Sequence, residues 1–158
     1  MLGTALAQLT MPGVPDVYQG TEGEYRALVD PDNRRAARFP HEDPGEKGAL
    51  TAAALRLRGR RPEVFGDSAS YAPLTAEGPA AAHCLAFARS GEVVTAVTRL
   101  SLRLAEAGGW RDTTLPLPPG RWADVLDPER EFSGRARVEE LFERLPVALL
   151  ERVVEESP

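Results

Sequence analysis

The sequence contains few of the residues from which disulfides, metal sites and nucleophilic catalysts are built. Cys84 is the only cysteine among 158 residues, so no internal disulfide can form, and a reducing compartment is compatible with the chain. The two histidines, His41 and His83, lack the spacing of metal ligands, so we expect no metal and no other cofactor. No motif places a base beside Cys84, which we expect to be an unreactive core thiol.

Long apolar runs and an excess of positive charge are also absent from the sequence. No stretch approaches the ~20 apolar residues that cross a bilayer, and residues 1–5 lack the positive charge of a signal peptide. Lysine and arginine number 19 against 24 aspartate and glutamate, and the net charge of −5 argues against a nucleic-acid partner. We therefore expect a cytoplasmic protein with no membrane partner. Hydrophobic residues make up 42% of the chain, which is enough to bury a core.

The first twenty residues contain a helical pattern followed by a strand-like run. Apolar residues at positions 2, 5, 6 and 9 share one face of a helix, and residues 10–13 (TMPG) end that helix. Residues 14–20 (VPDVYQG) have the length of a strand that is buried on both faces, as in a parallel sheet. No partner strand follows nearby, so we expect the neighbouring strands to lie on polypeptide outside this chain.

A second helix is predicted after a long polar loop. Asp43 is suited to the N-cap position, with a proline next to it and Glu46 three residues after the cap. Apolar residues within 50–57 share one helical face. Gly59 and Pro62 are expected to end the helix.

The rest of the chain has a strand-like pattern. Residues 83–89 and 92–98 partly alternate or are rich in β-branched side chains, and Ser90-Gly91 between them is typical of a two-residue hairpin turn. Residues 66–78 are predicted to form a loop, and residues 100–109 are ambiguous between a helical turn and a loop. Several short strands at close spacing favour an antiparallel β-sandwich. The other strand candidates are 113–117, 121–126, 134–138 and 145–150, with Pro118-Pro119-Gly120 joining the first two.

The order of these elements resembles the end of an α-amylase superfamily protein, also known as glycoside hydrolase family 13. Residues 12–22 (PGVPDVYQGTE) are similar to the eighth-strand motif of that superfamily. Residues 28–35 (LVDPDNRR) more specifically resemble the stretch after the eighth strand in malto-oligosyltrehalose synthases. Four later segments resemble the same family in the same order: 61–65, 86–89, 108–110 and 145–150.

The resemblance implies both a fold and an activity. The fold class is α/β plus β, with residues 1–66 as the last strand and helix of a (β/α)8 barrel and 67–158 as a C-terminal antiparallel β-sandwich domain. The family are isomerases of trehalose biosynthesis, which convert the terminal α-1,4 linkage of a malto-oligosaccharide to an α,α-1,1 linkage. Their catalytic carboxylates come from earlier barrel strands. We therefore predict no catalytic residue in this chain, which we expect to be inactive without a missing N-terminal barrel portion.

The loop that follows the predicted eighth strand is the expected substrate-binding element. Loops after barrel strands form the active-site face, and carboxylates and guanidinium groups make charge-assisted hydrogen bonds to sugar hydroxyls. An internal network of ion pairs and turns that only shapes the loop is the alternative. The residues predicted to line the malto-oligosaccharide groove are Gln19, Glu22, Asp30, Asp32, Asn33, Arg34 and Arg35.

Two other functions are compatible with parts of the sequence. One is a non-catalytic carbohydrate-binding or interaction module built on the β-domain, in which Trp110 and Trp122 could stack on sugar rings. We predict instead that both tryptophans are hydrophobic anchors, and the unpaired barrel strand argues against a separate module. The other is hydrolysis or another α-glucan transfer within the same superfamily, against which residues 30–35 argue.

Overall fold

Six strands form one antiparallel sheet in the computed structural model, which describes residues 1–18, 20 and 45–154. The order across the sheet is β1-β2-β3-β6-β4-β5, so β3 and β6 lie at its centre. The strands are β1 (Tyr71–Leu74), β2 (Cys84–Arg89), β3 (Val93–Thr98), β4 (Thr114–Asp124), β5 (Asp127–Arg137) and β6 (Val147–Arg152).

Five helices accompany the sheet in the described part of the chain. They are α1 (Leu2–Thr10), α2 (Gly45–Arg60), α3 (Pro62–Phe65), α4 (Ser101–Glu106) and α5 (Val138–Leu141), and Ala81–His83 form a 3-10 turn. None of these helices has the length and apolar character needed to span a membrane.

One face of the central strands is covered by the first two helices. Val93 and Val97 of β3, with Leu149 of β6, pack in one apolar cluster with Leu6 of α1 and Leu57 of α2. The apolar spacings in both helices therefore predicted the buried helix faces correctly. The 1–66 and 67–158 domain division stays a prediction, and these contacts cross it.

The other face of the central strands is covered by the ribbon of β4 and β5. Val94 and Ala96 share a second apolar cluster with Leu115 and the fully buried Trp122. β4 pairs with β6 only at residues 122–124, while its first residue, Thr114, bridges to Glu77. A register shift between Pro116 and Arg121 separates these two pairings. The ribbon therefore bends and packs over one face of the central strands of the same sheet.

The single sheet differs from the β-sandwich predicted from the sequence. Pro118-Pro119-Gly120 was expected to join two strands, but it lies inside β4, where the register shift accommodates residues without a regular ladder partner. β1 lies within the predicted loop at 66–78. β5 begins seven residues before the predicted strand at 134–138, because its charged first half carries no apolar alternation.

The hairpin of β2 and β3 is confirmed, with a longer turn than predicted. Arg89 pairs with Val93, so the turn has three residues, and the Glu92 N–H donates to the Arg89 carbonyl at 2.9 Å. Ser90 and Gly91 both have positive φ, 51° and 65°, which glycine adopts without strain. His83 lies in the 3-10 turn before β2, whereas the sequence placed it in a strand. Residues 100–109 contain the short helix α4.

Residues 14–18, predicted to begin a buried strand, pair with no strand among the described residues. Val14 is 95% exposed and Tyr18 is 74% exposed. A parallel strand obtains its hydrogen bonds from adjacent strands, so its sequence alone cannot keep it in a sheet. The predicted N-cap Asp43 and most of the polar loop lie outside the described residues. α2 ends at Arg60, just before Pro62 as predicted, and Pro62 occupies the first turn of α3.

A buried hydrogen bond fixes α1 on the sheet. The Thr95 hydroxyl in β3 donates to Thr10 Oγ1 at 2.9 Å, and the Thr10 hydroxyl donates to the Leu6 carbonyl at 2.7 Å. Both threonines are fully buried, so this chain of hydrogen bonds satisfies polar groups that water cannot reach.

Replacing Leu6 by alanine tests whether α1 belongs to the core. Because Leu6 is fully buried, Leu6→Ala should lower the free energy of unfolding by about 2–5 kcal/mol in urea denaturation. Leu102 in α4 is 73% exposed, and Leu102→Ala should change it by less than about 0.5 kcal/mol. Equal effects of the two substitutions would mean that α1 does not contribute to the folded core.

Candidate functional site

The seven residues predicted to bind sugar lie outside the residues that the structure describes. They are Gln19, Glu22, Asp30, Asp32, Asn33, Arg34 and Arg35. The segment that leads to them, residues 11–18, is described and lies against α1 and α2. Gln8 Nε2 donates to the Asp16 carbonyl at 2.8 Å, and Val17 packs on the apolar cluster of the helices. The side chains of Val14 and Tyr18 remain exposed at the surface.

A cavity of about 470 Å³ lies beside this segment, and we call it the arginine pocket. It is formed where the residues after α1 approach α3 and the end of β2. The residues of its wall that matter below are Val14, Arg58, Phe65, Asp67 and Arg89.

Arg58 connects α2 to the end of α1 at one side of the arginine pocket. Its Nη1 donates to the Leu9 carbonyl at 3.1 Å, and its Nη2 donates to the Gly13 carbonyl at 2.9 Å. The guanidinium carbon also lies 4.8 Å from the centre of the Phe65 ring. A cation at this position is favourable because the last carbonyls of a helix lack partners within the helix. Burial, and then the nearby Arg89 charge, lower the pKa of Arg58.

Arg89 occupies an unusual position for an arginine, at the end of β2 and facing the helices. It follows Leu85 and Phe87 in the alternating pattern of the strand, and its side chain is 2% exposed. Its guanidinium carbon lies 6.0 Å from the centre of the Phe65 ring. Its Nε and Nη1 atoms are buried and have no hydrogen-bond partner among the described residues. Burial lowers the pKa of Arg89, because the charged form is poorly solvated there.

A second cavity, of about 320 Å³, lies between α2, the β4–β5 turn and the start of β6. Asp124 is buried in it and accepts a hydrogen bond from the Leu126 N–H at 2.9 Å, as in an Asx turn. Arg130 Nη1 lies 3.9 Å from Asp124 Oδ2, and Arg144 Nη1 lies 2.5 Å from Asp127 Oδ2. Both carboxylates have partners that stabilise the turn. This geometry is therefore typical of a structural role rather than of acid–base catalysis.

A cluster of ion pairs holds the end of α2 against the sheet. Arg61 Nη1 lies 2.9 Å from Glu151 Oε1 of β6, and Arg61 Nε lies 2.6 Å from Glu63 Oε1. Arg60 also pairs with Glu151, and Arg152 pairs with Glu92 at 3.3 Å. These carboxylates are engaged by arginines at the surface, where such pairs contribute little individually.

The cysteine and the two tryptophans considered for chemical roles in the sequence analysis lie in positions typical of structural residues. Burial raises the pKa of Cys84 to about 12, so it is a thiol at neutral pH, as the prediction of an unreactive cysteine requires. Trp122 is fully buried and its Nε1 donates to the Pro118 carbonyl at 2.9 Å, which confirms its role as an anchor. Trp110 is half-buried against Phe142, with ring centres 5.2 Å apart. Within the described residues, no three or more His, Cys, Asp or Glu side chains are grouped to hold a metal ion.

Sequence reasoning missed the arginine pocket. The available signal was an arginine at position 89, in line with Leu85 and Phe87 in the alternating run at 83–89. Arg58 was hidden within a cluster of arginines that is typical of the cationic end of a helix.

The chain is similar to proteins of one enzyme family. No family model matches it. It is 46% identical over 157 residues to a Mycobacterium tuberculosis H37Rv protein described provisionally as a maltooligosyl trehalose synthase, with 96% of the chain and 20% of that relative covered. It matches the structure of maltooligosyltrehalose synthase from Arthrobacter ramosus with a TM-score of 0.84 and 43% identity, covering 96% of the chain and 22% of that protein. Another maltooligosyl trehalose synthase structure, 24% identical, has the same fold at a TM-score of 0.68.

These similarities confirm the resemblance predicted from the sequence motifs. The chain matches the C-terminal part of maltooligosyl trehalose synthases, and it spans 20% of the length of its curated relatives.

The buried carboxyl of Asp124 predicts a pH-dependent stability. Burial raises the pKa of Asp124 above its ordinary value of 3.8, an effect that the Leu126 hydrogen bond and the Arg130 charge only partly oppose. Its ionisation therefore disfavours the folded state: the contribution to stability is fully present below about pH 3.8 and is lost as the pH rises through the folded-state pKa. Asp124→Asn keeps the acceptor for Leu126 and removes the charge.

Thermal melts between pH 3.5 and 7 should show that Asp124→Asn melts above the wild type at pH 7. The difference should shrink towards the acid end of the range. Asp112→Asn, at an exposed position, is the matched control and should follow the wild type throughout. A lower melting temperature for Asp124→Asn at pH 7 would show that the Arg130 interaction outweighs the effect of burial.

Proposed function

We propose that this chain forms the C-terminal part of a malto-oligosyltrehalose synthase. Such an enzyme converts the terminal α-1,4 linkage of a malto-oligosaccharide to an α,α-1,1 linkage, which makes it an isomerase of trehalose biosynthesis. The observation that carries the proposal is the match of 96% of the chain to the Arthrobacter ramosus enzyme at a TM-score of 0.84. The proposed substrate is a malto-oligosaccharide, and the proposed location is the cytoplasm.

The segment after α1 is proposed to complete a (β/α)8 barrel of the α-amylase superfamily. In this proposal residues 14–20 form the eighth strand, and residues 1–66 end the barrel before the C-terminal β-domain at 67–158. The exposure of Val14 and Tyr18, side chains that a barrel strand would bury, supports this proposal.

The chemistry is proposed to depend on carboxylates outside this chain. A retaining transfer needs a nucleophilic carboxylate and a carboxylic acid about 5–5.5 Å apart. In the described residues, three acids line one cavity, Glu46, Asp124 and Asp127, and arginines or turn hydrogen bonds engage the two aspartates. The contribution of this chain is then to shape the substrate groove.

The loop after the proposed strand is where this chain is proposed to contact sugar. The carboxyl end of a barrel strand opens onto the active-site face, so residues 19–35 follow the strand into the groove. The planar guanidinium groups of Arg34 and Arg35 suit vicinal hydroxyls or a neighbouring carboxylate. Gln19, Glu22, Asp30, Asp32 and Asn33 complete the proposed set.

The proposal is tested by joining the chain to the part of the enzyme that it lacks. We define the joined protein as this chain placed after the preceding portion of the Arthrobacter ramosus enzyme, replacing the 22% that it matches. The joined protein should convert maltopentaose to a non-reducing product, measured as loss of reducing ends. The chain alone should show no turnover above a buffer blank, because it is proposed to lack both catalytic acids. Turnover by the chain alone, or a correctly folded joined protein without turnover, would contradict the proposal.

A further inference from the structure

The arginine pocket contains a buried cation that has no anion among the described residues. The Nε and Nη1 atoms of Arg89 have no hydrogen-bond partner in the part of the chain that the structure describes, although Arg89 is only 2% exposed. Removing a charge from water is unfavourable unless a partner replaces the lost hydration. The buried guanidinium therefore indicates a partner that the described residues do not supply.

The other charged groups of the pocket do not supply this partner. Arg58 adds a second positive charge, and its own hydrogen bonds go to the carbonyls of Leu9 and Gly13. Asp67 is exposed on the pocket wall, and no ion pair joins it to Arg89 in the described structure. Two guanidinium groups beside one Phe65 ring thus create a positive, partly apolar cavity.

The chemistry of the pocket suits a carboxylate. A guanidinium group presents several N–H donors in one plane, which match the two oxygens of a carboxylate. The apolar ring of Phe65 limits competition from water, and this strengthens a charge-assisted hydrogen bond.

The position of the pocket indicates where the carboxylate comes from. Val14, which is 95% exposed, lies on the pocket wall and belongs to the proposed eighth strand. The pocket therefore opens towards the side on which the remaining barrel would lie. The chain also spans only 20% of its relatives, so most of the enzyme is available to cover this face.

We propose that the arginine pocket is a docking site in which Arg89 receives a carboxylate side chain from the barrel portion of the enzyme. This inference rests on the proposed function. In the joined protein, the carboxylate neutralises Arg89 and fixes the barrel against the end of β2. Among the described residues of the chain alone, Arg89 is a buried cation without a partner.

The substitution Arg89→Met should have opposite effects in the two proteins. In the full chain alone it removes a buried charge that has no partner among the described residues, and it should raise the melting temperature by about 2–4 °C. In the joined protein it leaves the carboxylate without its cation and should lower the melting temperature. Arg89→Lys, which keeps the charge but loses the planar fork, should lie between Arg89→Met and the wild type in the joined protein. Arg103→Met at an exposed position of α4 is the matched control and should have little effect in either protein.

A small carboxylate provides a test on the full chain alone. At equal ionic strength, sodium acetate should raise the melting temperature of the wild-type chain above its value in sodium chloride. The same exchange of salts should have no specific effect on Arg89→Met. Stabilisation by phosphate without stabilisation by acetate would indicate a phosphate site and would overturn the proposal.

Other results separate the ways in which the proposal can fail. If Arg89→Met destabilises the chain alone, Arg89 is already paired within the chain and no docking partner is needed. If Arg89→Met stabilises both proteins, no carboxylate reaches the pocket, whether or not the joined protein is active. A third result is that Arg89→Met raises the melting temperature of the chain alone and lowers that of the joined protein while maltopentaose is not converted. In that case the docking site stands and the proposed function fails.

Discussion

The two central strands are buried on both faces, and the rest of the described structure depends on this constraint. Val93 and Val97 of β3 face α1 and α2, while Val94 and Ala96 face the β4–β5 ribbon. A strand in this position needs two apolar layers, so neither the helices nor the ribbon is an accessory to the fold. The cavities lie where these layers end: the arginine pocket at the edge of the helix layer and the Asp124 cavity where α2 meets the β4–β5 turn.

The helix layer contains two buried polar arrangements with opposite energetic character. The buried hydroxyl groups of Thr95 and Thr10 both make hydrogen bonds. They therefore add specificity to the α1–β3 contact without leaving a buried polar group unsatisfied. Arg89 lies in the same layer, and its buried Nε and Nη1 atoms lack partners in the described part of the chain. The first arrangement is complete within the described residues, whereas for the second we propose a partner from outside this chain.

Local patterns predicted those elements whose stability is mainly local. The apolar spacing of Leu2, Leu6 and Leu9 predicted the buried face of α1, and Ser90-Gly91 predicted the central hairpin. The motifs that resemble malto-oligosyltrehalose synthases correctly predicted the family of the proteins to which the chain is similar. These signals are strong because a helix face or a hairpin turn is encoded within about ten residues.

Features that depend on distant contacts were not predicted. β1 is short and has exposed residues, and its strand conformation comes from pairing with β2. The bend in β4 depends on a register shift within a proline-rich run. The sequence analysis predicted that run to be a connection between two strands. The arginine pocket brings together Arg58 and Arg89, which are 31 positions apart in the sequence and both lie near the Phe65 ring. The predicted sugar-binding loop lies outside the described residues, so its assignment stays a proposal.

The central claim is that residues after α1 form a barrel strand that needs neighbours from outside this chain. Amide hydrogen exchange at Val14 and Asp16 tests this claim most directly. In the chain alone, these amides should exchange as fast as those of an unstructured peptide, while Val94 and Ala96 in β3 should be strongly protected. In the joined protein, Val14 and Asp16 should become protected because strand pairing engages the backbone of this segment. Fast exchange at both residues in a folded, active joined protein would contradict the account.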